Sequence, residues 1–342
     1  MKGWIDYWRA VGGRISWDRS LLRGAWTVPW LMTTARLRRP GRMGTIAFHP
    51  QPAAPWYTMR LALAGTGIRV TSNVADADAV MVFDDRTRSD AVPPRTRGRL
   101  INSGISDVSK RRVGEVFERV FGYPLTLDPR AHVGPMVEKA DENGVHDGRI
   151  VQGPLSVPAP GAIYQHLVDS HVEPGVTEDL RCVCVDGRVV QVFRKRKAVA
   201  ERFRANYLET TLQAPEARLT AAELSDIARF CRAMGLDFGS IDVLRDHRGD
   251  GRIYIVDVNK TCMPVLSMPV AEMDRALARI GRAAEQLVLG SRAPADMAAN
   301  ISGRPAIRLR ASRTGSAAAR PARPHWSHGT TGRAVAADPP RP

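Results

Sequence analysis

The stretch LDFGSIDVLRDHRGDGRIYIVDVN, residues 236–259, decides the fold. Two runs rich in Ile, Val and Leu flank the polar, glycine-containing segment HRGDG, which is the pattern of an antiparallel hairpin. Asp257 and Asn259 stand two apart on the second run, so both project from one face of a strand. With the turn centred near Arg248 and Gly249, Asp242 comes opposite or diagonal to Asp257, about 5 Å across the ladder. A slip of one residue would turn it to the other face. Three oxygen donors among buried aliphatic residues need a counter-charge, because an unpaired buried carboxylate costs on the order of several kcal/mol. A divalent cation answers that need, and Mg2+ takes one or two carboxylates together with phosphate oxygens and water. Spacing alone also admits a plainer reading, with Asp257 an exposed strand end and Asn259 a turn residue.

Upstream of this hairpin, Thr220-Ala221-Ala222-Glu223 is a capping box that opens a helix burying Leu224, Ile227, Cys231 and Met234 and ending at Gly235. Downstream, Met273, Leu277, Ile280, Ala284 and Leu287 recur at helical spacing. Between residues 134 and 198, GPMVEKA, GRIVQGP, AIYQHLV, DLRCVCVDG and RVVQVFRKR follow quickly as short strands, with Asp186-Gly187 marking a tight hairpin. Lys139 ends the first of these strands before the polar loop DENGVHDG, where a lysine can meet phosphate or simply be the solvated end of a strand. Asp179 and Arg181 alternate on one strand and Arg194 to Lys197 end its partner; these charges either converge on a cleft or form an exposed face. Before them, TIAFHP, IRVT, AVMVFDD and RLINSG predict a small α/β domain over 44–106, and VSKRRVGEVFERVFG a helix closed by Gly122.

The net charge of +15 is concentrated at the ends. Residues 1–43 carry nine Lys and Arg against two acids, residues 291–342 carry the same numbers, and the middle is nearly neutral. A folded body without a basic surplus is not expected to recognise specific nucleic acid. The Ala-, Arg- and Pro-rich segment 291–342 reads as a disordered tail. Residues 1–43, with five tryptophans among arginines, read as an extension that docks on the body or makes weak contact with a membrane surface. No uncharged run is long enough to span a bilayer, and the four cysteines have neither a C-x-x-C spacing nor a partner histidine; a cytoplasmic protein with reduced, buried thiols is expected.

The order of these motifs, from Lys110 and Lys139 through YQHLVD, EDLRCVCVDGRVVQVFRKR, FRAN and LDFGSIDV to YIVDVNKTCMP, resembles the ATP-grasp superfamily over roughly residues 105–290, its RimK-like and glutathione-synthetase-like ligases in particular. The resemblance implies an α/β (α+β) ATP-grasp domain over 107–290 behind a small Rossmann-like domain. It further implies that Lys110 and Lys139 contact ATP phosphates, that Gln165, His166, Leu167 and Val168 form the hinge strand receiving adenine, and that Asp242, Asp257 and Asn259 bind Mg2+, with Mn2+ as an alternative. Arg181 and Arg194 would look onto the transferred phosphate, with Arg204 and Asn206 nearby. The implied reaction activates a small-molecule or peptide carboxylate as an acyl phosphate for attack by an amine or thiol. A kinase-like phosphotransferase is a second reading, and a non-catalytic scaffold binding anionic partners through its basic ends a third. The sequence departs from the family pattern at Asp257, where Glu is usual, at His166, and in the loop ENGVHDG, whose His146 and Asp147 are free to serve a substrate.

Overall fold

The computed structural model describes residues 19–204 and 206–290; the expectations for residues 1–18 and for the tail at 291–342 lie outside them. Four short strands, β1 (Gly44–Pro50), β2 (Ile68–Val70), β3 (Ala79–Phe83) and β4 (Arg99–Ile101), form an all-parallel sheet in the order β2-β1-β3-β4. The chain leaves β1 on one side to make β2 and returns on the other to make β3, so strand order reverses there. Such a reversal leaves a crevice beyond the carboxyl ends of the two strands. Helix α1 (Arg19–Leu37) buries Val28, Leu31 and Met32 but leaves Trp26 and Trp30 at 81% and 51% exposure. The extension therefore docks through its aliphatic residues, and these two tryptophans face outward. Helix α2 (Thr58–Leu63) follows β1.

The body begins with helix α3 (Lys110–Phe121), whose N-cap Ser109 accepts from the Arg112 N–H and whose C-cap Gly122 has φ 79°. An antiparallel three-stranded sheet follows, with β5 (Gly134–Ala140) between β6 (Arg149–Gly153) and β7 (Ala162–His166). A six-stranded antiparallel sheet holds β9 (Val176–Val185) and β10 (Arg188–Ala198) in its middle. Strand β8 (His171–Glu173) lies on β9, β11 (Glu209–Gln213) flanks β10, and β12 (Phe238–Arg245) and β13 (Ile253–Asn259) complete the order β11-β10-β9-β12-β13. Asp186 and Gly187 both take positive φ, 52° and 73°, as a two-residue type I′ hairpin demands. Between β11 and β12 runs helix α4 (Ala221–Met234), with the expected reciprocal cap: the Thr220 hydroxyl accepts from the Glu223 N–H at 3.2 Å, and the Glu223 carboxylate from the Thr220 N–H at 2.8 Å. Helix α5 (Val270–Leu289) closes the described chain.

The period of two along the strands divides the six-stranded sheet. On one face Leu180, Cys182, Cys184, Val192, Ile241 and Val243 pack with Val113, Val116 and Phe117 of α3 and Ile227, Phe230 and Cys231 of α4. On the other, Val183, Val185, Phe193 and Phe238 pack with Leu277, Ile280 and Ala284 of α5. Farther along this second face the same alternation presents Asp179, Arg181, Lys195, Lys197 and Asp242 in place of aliphatics, and these charges line a cleft toward the three-stranded sheet. All four cysteines are reduced and buried.

Asn102 is one of the residues that join the parallel sheet to the body. Asn102, just after β4 and 1% exposed, holds φ 58°; its side-chain Oδ1 accepts from the Asp237 and Phe238 N–H groups, both at 2.9 Å, and its Nδ2 donates to the Phe238 carbonyl at 2.7 Å. Beside it Gly104 and Gly235 approach so closely that a Cβ on Gly235 would lie 2.4 Å from the Gly104 carbonyl carbon. Among the described residues no helix is long and apolar enough to cross a membrane.

Candidate nucleotide and metal site

The cleft lies between the two antiparallel sheets, and its floor is set by register. Asp242 pairs with Arg181 on β9 and with Asp257 on β13. The ladder from Arg245↔Ile253 through Val243↔Ile255 would bring Val256 opposite Asp242; a bulge at Val256 brings Asp257 there instead. The two carboxylates then diverge in environment. Asp242 takes both prongs of Arg181, Nε to Oδ1 at 3.0 Å and Nη2 to Oδ2 at 2.9 Å, and Lys195 Nζ at 3.1 Å. Burial opposes its ionisation, yet Arg181 and then Lys195 outweigh that and hold its carboxyl far below the usual range. Asp257 has a buried Oδ1 with no partner, and its Oδ2 lies 3.5 Å from Asn259 Nδ2. Burial pushes its carboxyl up; Asp242 adds to the rise while Lys110 and Lys139 oppose it.

Further cations surround this pair. Lys195, 2% exposed, and Lys197 converge on Asp179 at 2.7 and 2.8 Å, and both ammoniums stand over the Tyr207 ring at 5.5 and 5.3 Å. From the opposing sheet Lys139 Nζ donates to Gln165 Oε1 at 2.9 Å, leaving the buried Gln165 Nε2 without a partner. Burial lowers the Lys139 ammonium to about 8, with Asp257 opposing and Lys110 reinforcing the shift. Lys110, at the start of α3, donates to the Glu142 carbonyl at 2.5 Å and so holds the loop at 141–148. That loop is also tied by Asp147, whose carboxylate accepts from the Ala140 N–H at 3.2 Å, and by Asn143, whose Nδ2 donates to the Val258 carbonyl at 3.0 Å. His146, at φ 56°, lines the cleft, and Gly148 abuts Phe203 so tightly that a Cβ would lie 2.7 Å from its ring. Val137, Leu167, Val168, Leu244 and Val256 provide an apolar slot beside this charge.

The structure thus gathers Lys110, Lys139, Gln165, His166, Leu167, Val168, Arg181, Arg204, Asp242 and Asp257 on one cleft, with Asn259 adjoining Asp257. His166 stacks on Tyr254 at 5.2 Å. Arg204 sits at the rim with its side chain 70% exposed, beside Glu201. Asn206 does not line the cleft; its amide donates to Glu201 at 2.9 Å. Arg194 lies on the opposite sheet face and pairs with Glu178, contrary to the expectation that it looks onto phosphate. A bulge at Val190 is the reason: the turn at Asp186-Gly187 would place Arg194 opposite Asp179, and the extra residue gives that place to Lys195. Sequence reading missed Tyr207 as a cleft residue and left open which of Arg194 to Lys197 face the cleft; Lys195 and Lys197 do. The alternation of the two lysines was visible, and only the bulge hid which face they take.

A metal fits this donor set. The unpartnered Asp257 Oδ1 is an acceptor withdrawn from water, Asn259 adds a neutral oxygen, and Asp242 retains a free lone pair on Oδ2. Among the described residues no cluster of three or more His, Cys, Asp and Glu forms a metal cage. An ion held here would complete its shell with ligand oxygens and water, a coordination that suits Mg2+ better than Zn2+.

A RimK-like ATP-grasp domain model matches residues 157–271, about a third of the chain, and this stretch carries Gln165 to Val168, Arg181, Lys195, Asp242, Asp257 and Asn259. Over residues 157–271 the chain is similar to RimK-like ATP-grasp domains. A probable alpha-L-glutamate ligase of Alcanivorax borkumensis is 32% identical to the chain over 95 residues, or 28% of this chain and 30% of that relative, so the match spans under a third of the relative's length. Among solved structures, the ATP-grasp ligase PsnB complexed with precursor peptide PsnA2 and AMPPNP is 13% identical, with TM-score 0.44, over 72% of this chain and 98% of that one. D-alanine–D-alanine ligase from Bacillus anthracis complexed with ATP is likewise 13% identical, with TM-score 0.42, over 73% and 98%.

Proposed function

We propose that this chain is a Mg-ATP-dependent ligase that activates a carboxylate as an acyl phosphate and joins it to an amine or thiol. The observation that carries the reading is the pairing of a neutralised carboxylate, Asp242, with an orphaned one, Asp257, in a cleft ringed by Lys110, Lys139, Arg181, Lys195 and Lys197. Such a site is short of one cation at Asp257 and has cations in excess elsewhere, which is the complement of a metal-bound polyphosphate. The slot of Val137, Leu167, Val168, Leu244 and Val256 receives adenine, and Gln165 Nε2 offers a donor beside it. Lys110 and Lys139 meet the phosphate chain; Arg181 and Lys195 face the transferred group. Mg2+, held by Asp257 and Asn259 with Asp242, supplies charge neutralisation of the phosphate oxygens.

In the first step a substrate carboxylate oxygen attacks the terminal phosphorus, the bond to ADP breaks and ADP departs. The amine then attacks the acyl carbon, phosphate leaves with the bonding pair, and the amine proton passes to solvent. The protein contributes positioning and charge neutralisation throughout. The acid is a small molecule or a peptide carboxylate, and the glutamate ligase relatives make an amino acid the first acceptor to try. We include in the proposal a weak membrane-surface contact through the exposed Trp26 and Trp30, checked by sedimentation with anionic vesicles. The test of the central reading is ADP and phosphate release from acid and amine panels. Release that requires both partners supports ligation; a stable phosphorylated product, or no nucleotide turnover with any pair, overturns it.

A further inference from the structure

Asn143, in the loop at 141–148, is held at both ends of the residue. Its N–H donates to the Thr87 hydroxyl at 3.0 Å, and its Nδ2 to the Val258 carbonyl at 3.0 Å, between Asp257 and Asn259 in the chain. With Nδ2 committed, the orientation of the carboxamide is fixed, because reversing it would set Oδ1 against that carbonyl. Oδ1 itself is buried and has no partner. A buried acceptor left without a donor is costly, and the bond to Val258 needs no acceptor at all.

The neighbouring Asn259 stands the wrong way round for a metal. Its Nδ2 is turned toward the Asp257 carboxylate, 3.5 Å from Oδ2, while its Oδ1 is turned toward Asn143 Nδ2, also at 3.5 Å. Both contacts lie at the outer limit of a hydrogen bond and hold the amide weakly. A carboxamide binds a cation through its oxygen, so an ion beside Asp257 requires Asn259 reversed. Reversal carries Nδ2 away from Asp257 to the side of Asn143, where one buried oxygen lacks a donor.

We propose that Asn143 is a positioning residue of the metal site: its Oδ1 accepts from Asn259 Nδ2 when Asn259 turns its own oxygen to the divalent cation beside Asp257. The inference rests on the Mg-ATP reading for the cation and adds the residue that orients its ligand. Partners of this kind behind a metal ligand are worth about 10- to 100-fold in metal affinity. The bond from Asn143 Nδ2 to Val258 persists and the new one adds to it, so metal binding also fastens the loop at 141–148 more firmly to β13.

The test uses the full chain and Mn2+ as the probe, with free Mn2+ read by electron paramagnetic resonance. Asn143→Leu should weaken Mn2+ binding by about 10- to 100-fold. Thr87→Val, which releases the loop backbone but leaves the carboxamide in place, should change it by less than about twofold. Equal losses in the two variants would assign the effect to loop docking and overturn the proposal. In the 15N-labelled chain the side-chain amide of Asn259, assigned by its loss in Asn259→Asp, should gain protection from solvent exchange on saturation with Mg2+. That gain should vanish in Asn143→Leu and persist in Asn143→Asp, which keeps an acceptor; its loss in the aspartate variant overturns the proposal even where the leucine variant does not fold. Mn2+ affinity that survives Asn143→Leu overturns it too and leaves the ligase reading intact. A wild-type chain that takes up no Mn2+, with or without an ATP analogue, sinks the metal site and both readings together.

Discussion

Asp242 and Asp257 face each other across neighbouring strands in opposite electrostatic states: the first is clamped by Arg181 and Lys195, the second has a buried oxygen with no donor. Their neutralisation should therefore have opposite consequences. Asp242→Asn strips the buried Arg181 of its carboxylate and Lys195 of one of its two, and should destabilise the fold by ~3–5 kcal/mol. Asp257→Asn removes an uncompensated carboxylate and should leave stability unchanged or raise it by ~1 kcal/mol, while abolishing magnesium-dependent nucleotide binding. Urea midpoints read the first quantity and calorimetry the second; equal destabilisation by both variants would refute the assignment.

The same pair sets a dependence on acid. The folded pKa of Asp242 is depressed, so its contribution is fully present above the unfolded value, near 3.9, and is lost as pH falls through the folded one. The stability gap between wild type and Asp242→Asn should consequently be constant from pH 7 to 5 and shrink below about pH 4. A gap that grows on acidification would contradict the clamp.

Lys139 gives a signal on the alkaline side. With its ammonium at about 8, it is mainly charged at neutral pH and mainly neutral a unit above that value. Phosphate favours the charged form, so nucleotide binding at pH 8–9 should take up to about one proton, and affinity should decline as pH rises through this range. Calorimetry in two buffers of different ionisation enthalpy measures the uptake, and Lys139→Arg should abolish it.

The two faces of β10 separate two neighbouring cations. Lys195→Ala should weaken nucleotide binding by roughly 10- to 100-fold, the worth of a charge-assisted hydrogen bond. Arg194→Ala should change it by less than about twofold, within the ±0.5 kcal/mol typical of substitutions away from a site. The reverse order would show that the Val190 bulge is misplaced.

Gly148→Ala tests the contact between the loop at 141–148 and Phe203. The added methyl meets the ring, so one of two segments bordering the cleft must shift. KM for ATP should rise severalfold with little change in the urea midpoint, and Gly148→Ala combined with Phe203→Ala should recover most of the loss.

Much of this arrangement was legible in the sequence. The alternating hairpin runs, the capping box at Thr220 and Glu223 and the Asp186-Gly187 turn each specify local geometry, and each is present as read. The face on which a charge falls was less legible, because single-residue bulges reverse it. One at Val256 brings Asp257 to Asp242, and one at Val190 takes Arg194 away from Asp179. Neither residue type announces a bulge.

Asn102 has a consequence for how such a protein is assembled from parts. A residue there must tolerate a left-handed backbone, accept two amide protons and donate to two carbonyls, all out of contact with water, and only a short carboxamide satisfies the three demands together. An amino-terminal sheet transplanted from another protein would be rejected at this seam even if its strands matched. Compatibility between the two lobes is in this sense a lock with a single key, and chimaeras of this chain should be screened first for an asparagine at position 102.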